Sequence, residues 1–258
     1  MGTKERAGRA LRAMAVTGVC GGILMALPAH AEGWAVTHVP GSVTADAKAC
    51  MMYSGTVPPA VTIGAYEGSS AMTLQAPVFA GVASGAEATL TFPSGGASSV
   101  QLAKSSPDSD IVVLTLAPAP GGNVPALEDV LTRFSKAGSF SAVGTGWRVD
   151  LPDLPDASQA AMALRSCKVG LENTEAFDKG MAAMKSEDYA AAYALWRPIA
   201  DKGYAMAQLM LGLLYDEGAG VAQDFEEADR LICAAAATGL GQATDVAAEF
   251  DINCSASK

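Results

Sequence analysis

Asp188, Tyr189, Ala192, Leu195, Ala200, Gly203 and Ala207 return 36 positions later as Asp224, Phe225, Ala228, Leu231, Ala236, Gly239 and Ala243. Phe177 and Gly180 return after 32 positions as Leu209 and Gly212, so the first copy is four residues shorter, at Lys185-Ser186-Glu187. A fixed period of this length, in an Ala-rich stretch with helical spacing of its apolar residues, predicts stacked helix pairs. One such pair cannot bury its apolar face alone, so the copies must pack on one another. Small residues at Ala207, Gly212, Ala228 and Ala236 allow backbones to approach, and Leu211, Tyr215 and Leu231 fill the space between.

The segment Leu211 to Ala228 reads LGLLYDEGAGVAQDFEEA and continues to Gly239. Its Ala207, Leu211-Gly212, Tyr215, Gly218-Ala219-Gly220-Val221, Asp224, Ala228, Ala235-Ala236 and Gly239 resemble the pattern of the Sel-one-like repeat. That family is a helix–turn–helix relative of the tetratricopeptide repeat. The resemblance implies an α-solenoid over residues 174–250, with units at 174–203 and 204–239, a closing helix at 240–250 and a tail at 251–258. It also implies that the first helix of each unit lines a concave protein-binding groove. Carried over by position, the groove is Phe177, Met181, Met184 and Lys185 in the first unit, with Met206, Leu209, Leu213, Asp216 and Glu217 in the second. The face is either open to a partner or covered by the chain's own N-terminal half.

At the other end, Lys4, Arg6, Arg9 and Arg12 precede an apolar run from Ala13 to Leu27 and the small-x-small triplet Ala29-His30-Ala31. This is the layout of a cleaved export signal over residues 1–31, with a mature start at Glu32 and no stable membrane anchor afterwards. The expected location is periplasmic or secreted. Cleavage leaves 227 residues with 13 Lys+Arg against 26 Asp+Glu, a balance that disfavours nucleic acid and anionic lipid as partners. Four cysteines remain, Cys50, Cys167, Cys233 and Cys254, and in an exported chain they read as two disulfides with three connectivities open. Their placement favours Cys50 with Cys167 and Cys233 with Cys254.

Residues 32–168 carry a period of two, punctuated by Gly, Pro and Ser clusters. Strands are expected at Trp34–Val39, Cys50–Ser54, Val61–Tyr66, Met72–Ala80, Ala88–Phe92, Val100–Lys104, Ile111–Ala117, Phe140–Val143 and Trp147–Leu151. The spacing predicts an antiparallel sandwich or partial barrel. Two helices interrupt it. One follows Asn123 and carries Val124, Leu127, Val130, Leu131 and Phe134, and the other starts at Asp156 with Gln159 as a capping box. A linker is expected at 169–173. Trp34, the strand cysteine Cys50 and a closing strand–helix ending in Cys167 also resemble exported β-domains of the invasion-associated locus B type. The whole chain therefore reads as α+β, in two domains.

Little of the sequence carries chemistry. After cleavage His38 is the one histidine, there is no Gly-x-Ser-x-Gly elbow, and no Cys-x-x-Cys or His-x-x-x-His spacing offers zinc ligands. No catalytic residue, metal or cofactor is expected. Glu226-Glu227 and Asp216-Glu217 read as a solvated helical face. Met181 with Met184, and Met206 with Met210, are spaced to share helix faces, as core, as an adaptable groove, or as soft ligands for copper(I). Met51 and Met52 point to opposite sides of a strand. The expected function is non-enzymatic contact with an unidentified envelope or extracellular protein through the repeat. The alternatives are an envelope hydrolase using β-domain carboxylates and a methionine-based binder of soft metal or small ligand.

Overall fold

The computed structural model describes residues 35–40, 48–54, 59–66, 69–116, 126–151 and 156–256. The expected export signal, the start at Glu32 and the Asn123 cap lie outside them. His38 stands in the backbone of the first strand, opposite Cys50. The chain is α+β. Its described residues divide into two compact units, one ending at Leu164 and one running from Arg165.

In the first unit, nine strands among the described residues form one antiparallel sheet: β1 (Ala35–Pro40), β2 (Lys48–Tyr53), β3 (Ala60–Tyr66), β4 (Ser69–Gln75), β5 (Glu87–Thr91), β6 (Ala97–Ala103), β7 (Ile111–Leu116), β8 (Ser141–Gly144) and β9 (Trp147–Asp150). Their order is β1-β2-β3-β4-β7-β6-β5-β8-β9, a single open sheet with two edges, as in a partial barrel. The expected strand from Met72 to Ala80 stops at Gln75, and Pro77–Gly81 forms a 3-10 turn. Proline supplies no N–H for a ladder, and the preceding N–H of Ala76 donates instead to the carbonyl of Asp110 at 3.0 Å.

Alternation decides the burial. Met52, Ile63, Met72, Leu74, Leu90, Leu102 and Leu114 are buried on one face, with Met51 half-buried on the other. Helix α1 (Ala126–Ala137) adds Val130, Leu131 and Phe134 to this core, and Phe134 meets Phe140 edge-on at 6.3 Å. Gly138 ends the helix at φ 70°, with its N–H on the carbonyl of Phe134 at 2.8 Å. Arg133 binds Asp129 with its Nε at 2.9 Å from both carboxylate oxygens and reaches the carbonyl of Gly95 in the β5–β6 turn at 3.3 Å.

Helix α2 runs from Ala157 to Glu172 and contains the point where the units divide. The expected linker 169–173 is therefore helical except for its last residue, Asn173, and α3 follows at once. Within the helical unit the turn from α2 to α3 carries side-chain hydrogen bonds: the Asn173 side chain donates to Val169 O at 2.7 Å, and Thr174 Oγ1 donates to Gly170 O at 3.0 Å.

The second unit continues with α3 (Thr174–Lys185), α4 (Tyr189–Ala200), α5 (Ala205–Glu217), α6 (Phe225–Ala237) and α7 (Gly241–Glu249), each packed on the next by short turns. Positions related by the sequence period do the same structural work. Asp188 caps α4 by accepting the Ala191 N–H at 3.1 Å, and Asp224 caps α6 by accepting the Glu227 N–H at 3.0 Å. A Cβ on Gly180 would stand 2.2 Å from Trp196 Nε1, and one on Gly212 would stand 2.8 Å from Ile232 Cγ1. Trp196 and Ile232 are themselves one period apart.

A third correspondence is invisible in residue type. Helices α3, α5 and α7 each close on a left-handed residue: Glu187 (φ 61°), Gly218 (φ 68°) and Asp251 (φ 55°). The next N–H then donates five residues back, Asp188 to Ala183 at 2.9 Å, Ala219 to Leu214 at 3.0 Å and Ile252 to Ala247 at 2.8 Å. Glycine occupies this conformation without a Cβ penalty, so Asp251→Gly should raise the stability of the helical unit by about 1 kcal/mol in denaturant melts followed by circular dichroism.

Cys233 and Cys254 form a disulfide with Cα atoms 5.1 Å apart, 21 residues apart in sequence. It ties the chain beyond α7 to α6, and closing such a loop stabilises by about 3 kcal/mol on the chain-entropy account. Cys50 and Cys167 are each disulfide-bonded as well.

Candidate functional site

Two places among the described residues gather polar groups or residues expected to bind: helices α3 and α5, and one face of the sheet. On the helices, the nine residues expected to line a groove separate into two classes. Met184, Met206, Leu209, Leu213 and Asp216 are buried, with Leu209 at 0% and Leu213 at 1% exposure. Phe177, Met181 and Glu217 are half-buried, and Lys185 is exposed. The expectation of a continuous groove across α3 and α5 is therefore corrected. Helix α5 is apolar nearly all round, and such a helix is an interior element rather than a lining. Its Met206, Leu209, Met210 and Leu213 share one core with Trp196, Ile199, Ile232 and Val246. Of the four methionines on α3 and α5, Met184, Met206 and Met210 thus fill core space, and Met181 packs at its margin.

The acidic pairs also depart from a uniform solvated face. Glu226 is exposed, but Asp216 is buried and Glu217 half-buried at the end of α5, where the following turn folds back. Gln223 Nε2 donates to Asp216 O at 2.7 Å, and the Asp224 N–H donates to Tyr215 O at 3.0 Å. Glu227 is taken up by arginines.

That pairing belongs to a polar seam joining α4, α5 and α6, which sequence spacing did not reveal beyond the motif tyrosine. The hydroxyls of Tyr193 and Tyr215 lie 2.9 Å apart, with their rings edge-to-face at 5.8 Å. Arg197 donates to Tyr215 Oη at 3.2 Å, pairs with Asp201 at 3.0 Å, and comes within 3.6 Å of Glu227. Arg230 donates to both oxygens of Glu227, at 2.6 and 2.8 Å. The Arg230 hydrogen bonds hold the Glu227 carboxyl below its usual range despite partial burial, and burial together with the Tyr193 hydrogen bond raises Tyr215. Every charged group here has an opposite partner, so the seam orients helices rather than offering a free charge. Nearby, burial first and the charge of Asp178 second push Tyr204 up to about 12, and its ring stands edge-on to Phe177 at 5.2 Å.

On the sheet, strands β5, β6 and β8 shape a shallow trough of about 680 Å³. Its lining includes the side chains of Glu87, Thr89, Ser99, Gln101, Val143 and Thr145. The register explains the shape. Ser99, Thr89 and Val143 stand opposite one another on three neighbouring strands and form a low floor of short side chains, and the longer Glu87 and Gln101 pair one step along. Among the described residues Glu87 is the carboxylate of this lining, without a second one facing it. Among the described residues no group of three or more His, Cys, Asp or Glu side chains converges as a metal site, and no helix is long and apolar enough to cross a membrane.

Comparison with protein-family models, curated proteins and solved structures finds no match to this chain.

Proposed function

We propose that this chain is an exported, non-enzymatic protein of the bacterial envelope, in which a β-rich domain carries a short Sel-one-like repeat solenoid that mediates protein–protein contact. The observation that carries the reading is the structural equivalence of period-related positions, namely the Asp188 and Asp224 caps and the Gly180–Trp196 and Gly212–Ile232 approaches, together with the similar left-handed closures of α3, α5 and α7. Repeats of this kind hold a rigid surface without catalytic groups. The disulfide between Cys233 and Cys254 supports an oxidising compartment. A hydrolase reading lacks a favouring observation, since the trough lining has one carboxylate, and the methionine-metal reading loses three of its four ligands to the core.

Burial moves the contact surface. Leu209 and Leu213 are withdrawn, and the part of the expected groove that reaches solvent is Phe177, Met181, Lys185 and Glu217. Met181→Asp combined with Lys185→Glu should leave the melting curve nearly unchanged, because neither side chain is fully buried. It should abolish crosslinking to an envelope protein that the unmodified chain captures reproducibly. Identical capture by both chains, or capture by neither, would overturn the assignment of this surface.

A further inference from the structure

We infer that the trough on β5, β6 and β8 binds a neutral oligosaccharide. The reason lies in how differently two parts of the same sheet face spend their hydrogen bonds. One row is closed on itself: Thr91 Oγ1 reaches Ser141 O at 3.5 Å, Arg148 donates to Asp150 at 2.7 Å and to Ser141 Oγ at 3.0 Å, and Ser141 Oγ donates to Asp150. The adjoining row holds Glu87, Thr89, Ser99, Gln101 and Thr145 around the trough, and none of these five side chains makes a hydrogen bond to the described protein. Three strands thus present hydroxyl, amide and carboxylate groups together, open to a ligand.

The chemistry of that set selects the ligand class. Among the described residues no lysine or arginine lines the trough and Glu87 does, so phosphate and carboxylate ligands meet a negative charge there. Among the described lining residues none is aromatic, and of the two valines Val100 is buried in the core, so Val143 alone offers aliphatic surface and an apolar ligand or acyl chain finds little to bury. Hydroxyl and amide side chains both donate and accept, and they match a ligand whose every position does the same. Sugar hydroxyls have that character. A peptide backbone, by contrast, alternates N–H and C=O along an extended line and satisfies them at a sheet edge, not across a face. The volume of about 680 Å³ lies within the range of ligand sites, and the strand separation of roughly 4.8 Å sets a ladder of contacts across the trough.

Backbone amide spectra of the full exported chain, titrated separately with chitotetraose and maltotetraose, test this. Saturable shifts confined to residues 87–89, 99–101 and 143–145 are expected with at least one of the two. Thr89→Val with Ser99→Ala should weaken that binding about tenfold or more without moving the melting temperature. Gln101→Ala, on the exposed row, serves the same purpose if the double variant melts early. A trigalacturonate probe and a neutral Ser/Thr-rich peptide give the competing outcomes. Shifts at the trough with either of these and none with the neutral sugars would overturn the proposal, as would no saturable shift with any probe or shifts scattered over the chain.

Discussion

Leu213→Asp should unfold the helical unit. Leu213 is 1% exposed and sits in the core shared by α4, α5, α6 and α7. The substitution removes a buried aliphatic side chain, which costs about 2–5 kcal/mol even when alanine replaces it. It also strands a carboxylate among apolar neighbours, one turn from the buried Asp216. The sum approaches the whole stability of an ordinary domain. Circular dichroism at 222 nm should show the helical transition lost or shifted below room temperature. Met181→Asp, at the margin of the same core, should cost under about 1 kcal/mol. A folded Leu213→Asp chain with a normal melt would mean that α5 faces solvent and that the continuous groove exists after all.

Gly220→Val should cost about 3 kcal/mol or more although Gly220 is exposed. Two causes combine. Its φ of 70° is strained for a β-branched residue, and a Cβ there would stand 2.4 Å from the Tyr189 carbonyl carbon and 2.5 Å from the Ala190 nitrogen. Those are backbone atoms at the start of α4, so no side-chain rotation relieves the clash. Gly218→Ala is the matched comparison, since it has nearly the same φ, 68°, but its nearest neighbour is Gln223 Cβ at 3.0 Å. It should cost about 1–2 kcal/mol, from conformation and from a tight contact that Gln223 relieves by giving a few tenths of an ångström. Equal losses at the two glycines in urea melts would show that the turn does not pack against α4.

These two results bear on the same feature, a turn from one helix pair seated on the first helical residues of the previous pair. Residue Tyr189 is covered this way, whereas Phe225, one period later, is 43% exposed. The helices differ in length as well. Helix α5 has 13 residues and α7 has 9, so α7 is about 6 Å shorter.

Local chemistry repeated at a fixed interval was readable before any coordinates. The recurrence of Asp188 as Asp224, the glycines of the 218–221 turn and the period of two through the strands act within a few residues, so the residue types alone announce them. The left-handed closures at Glu187 and Asp251 were not readable, because neither residue type marks that conformation as glycine does. Nor was the fate of Leu213. A leucine on a repeat helix looks the same whether it lines a groove or fills a core, and only the set of helices around α5 distinguishes them. The trough follows the same rule: residues 87–89, 99–101 and 143–145 become neighbours through the pairing of β5 with both β6 and β8, a choice of strand order that no local pattern encodes. Period, caps and turn glycines are short-range physics and stay legible in one dimension, whereas burial and strand order depend on which distant segments compete for the same apolar surface.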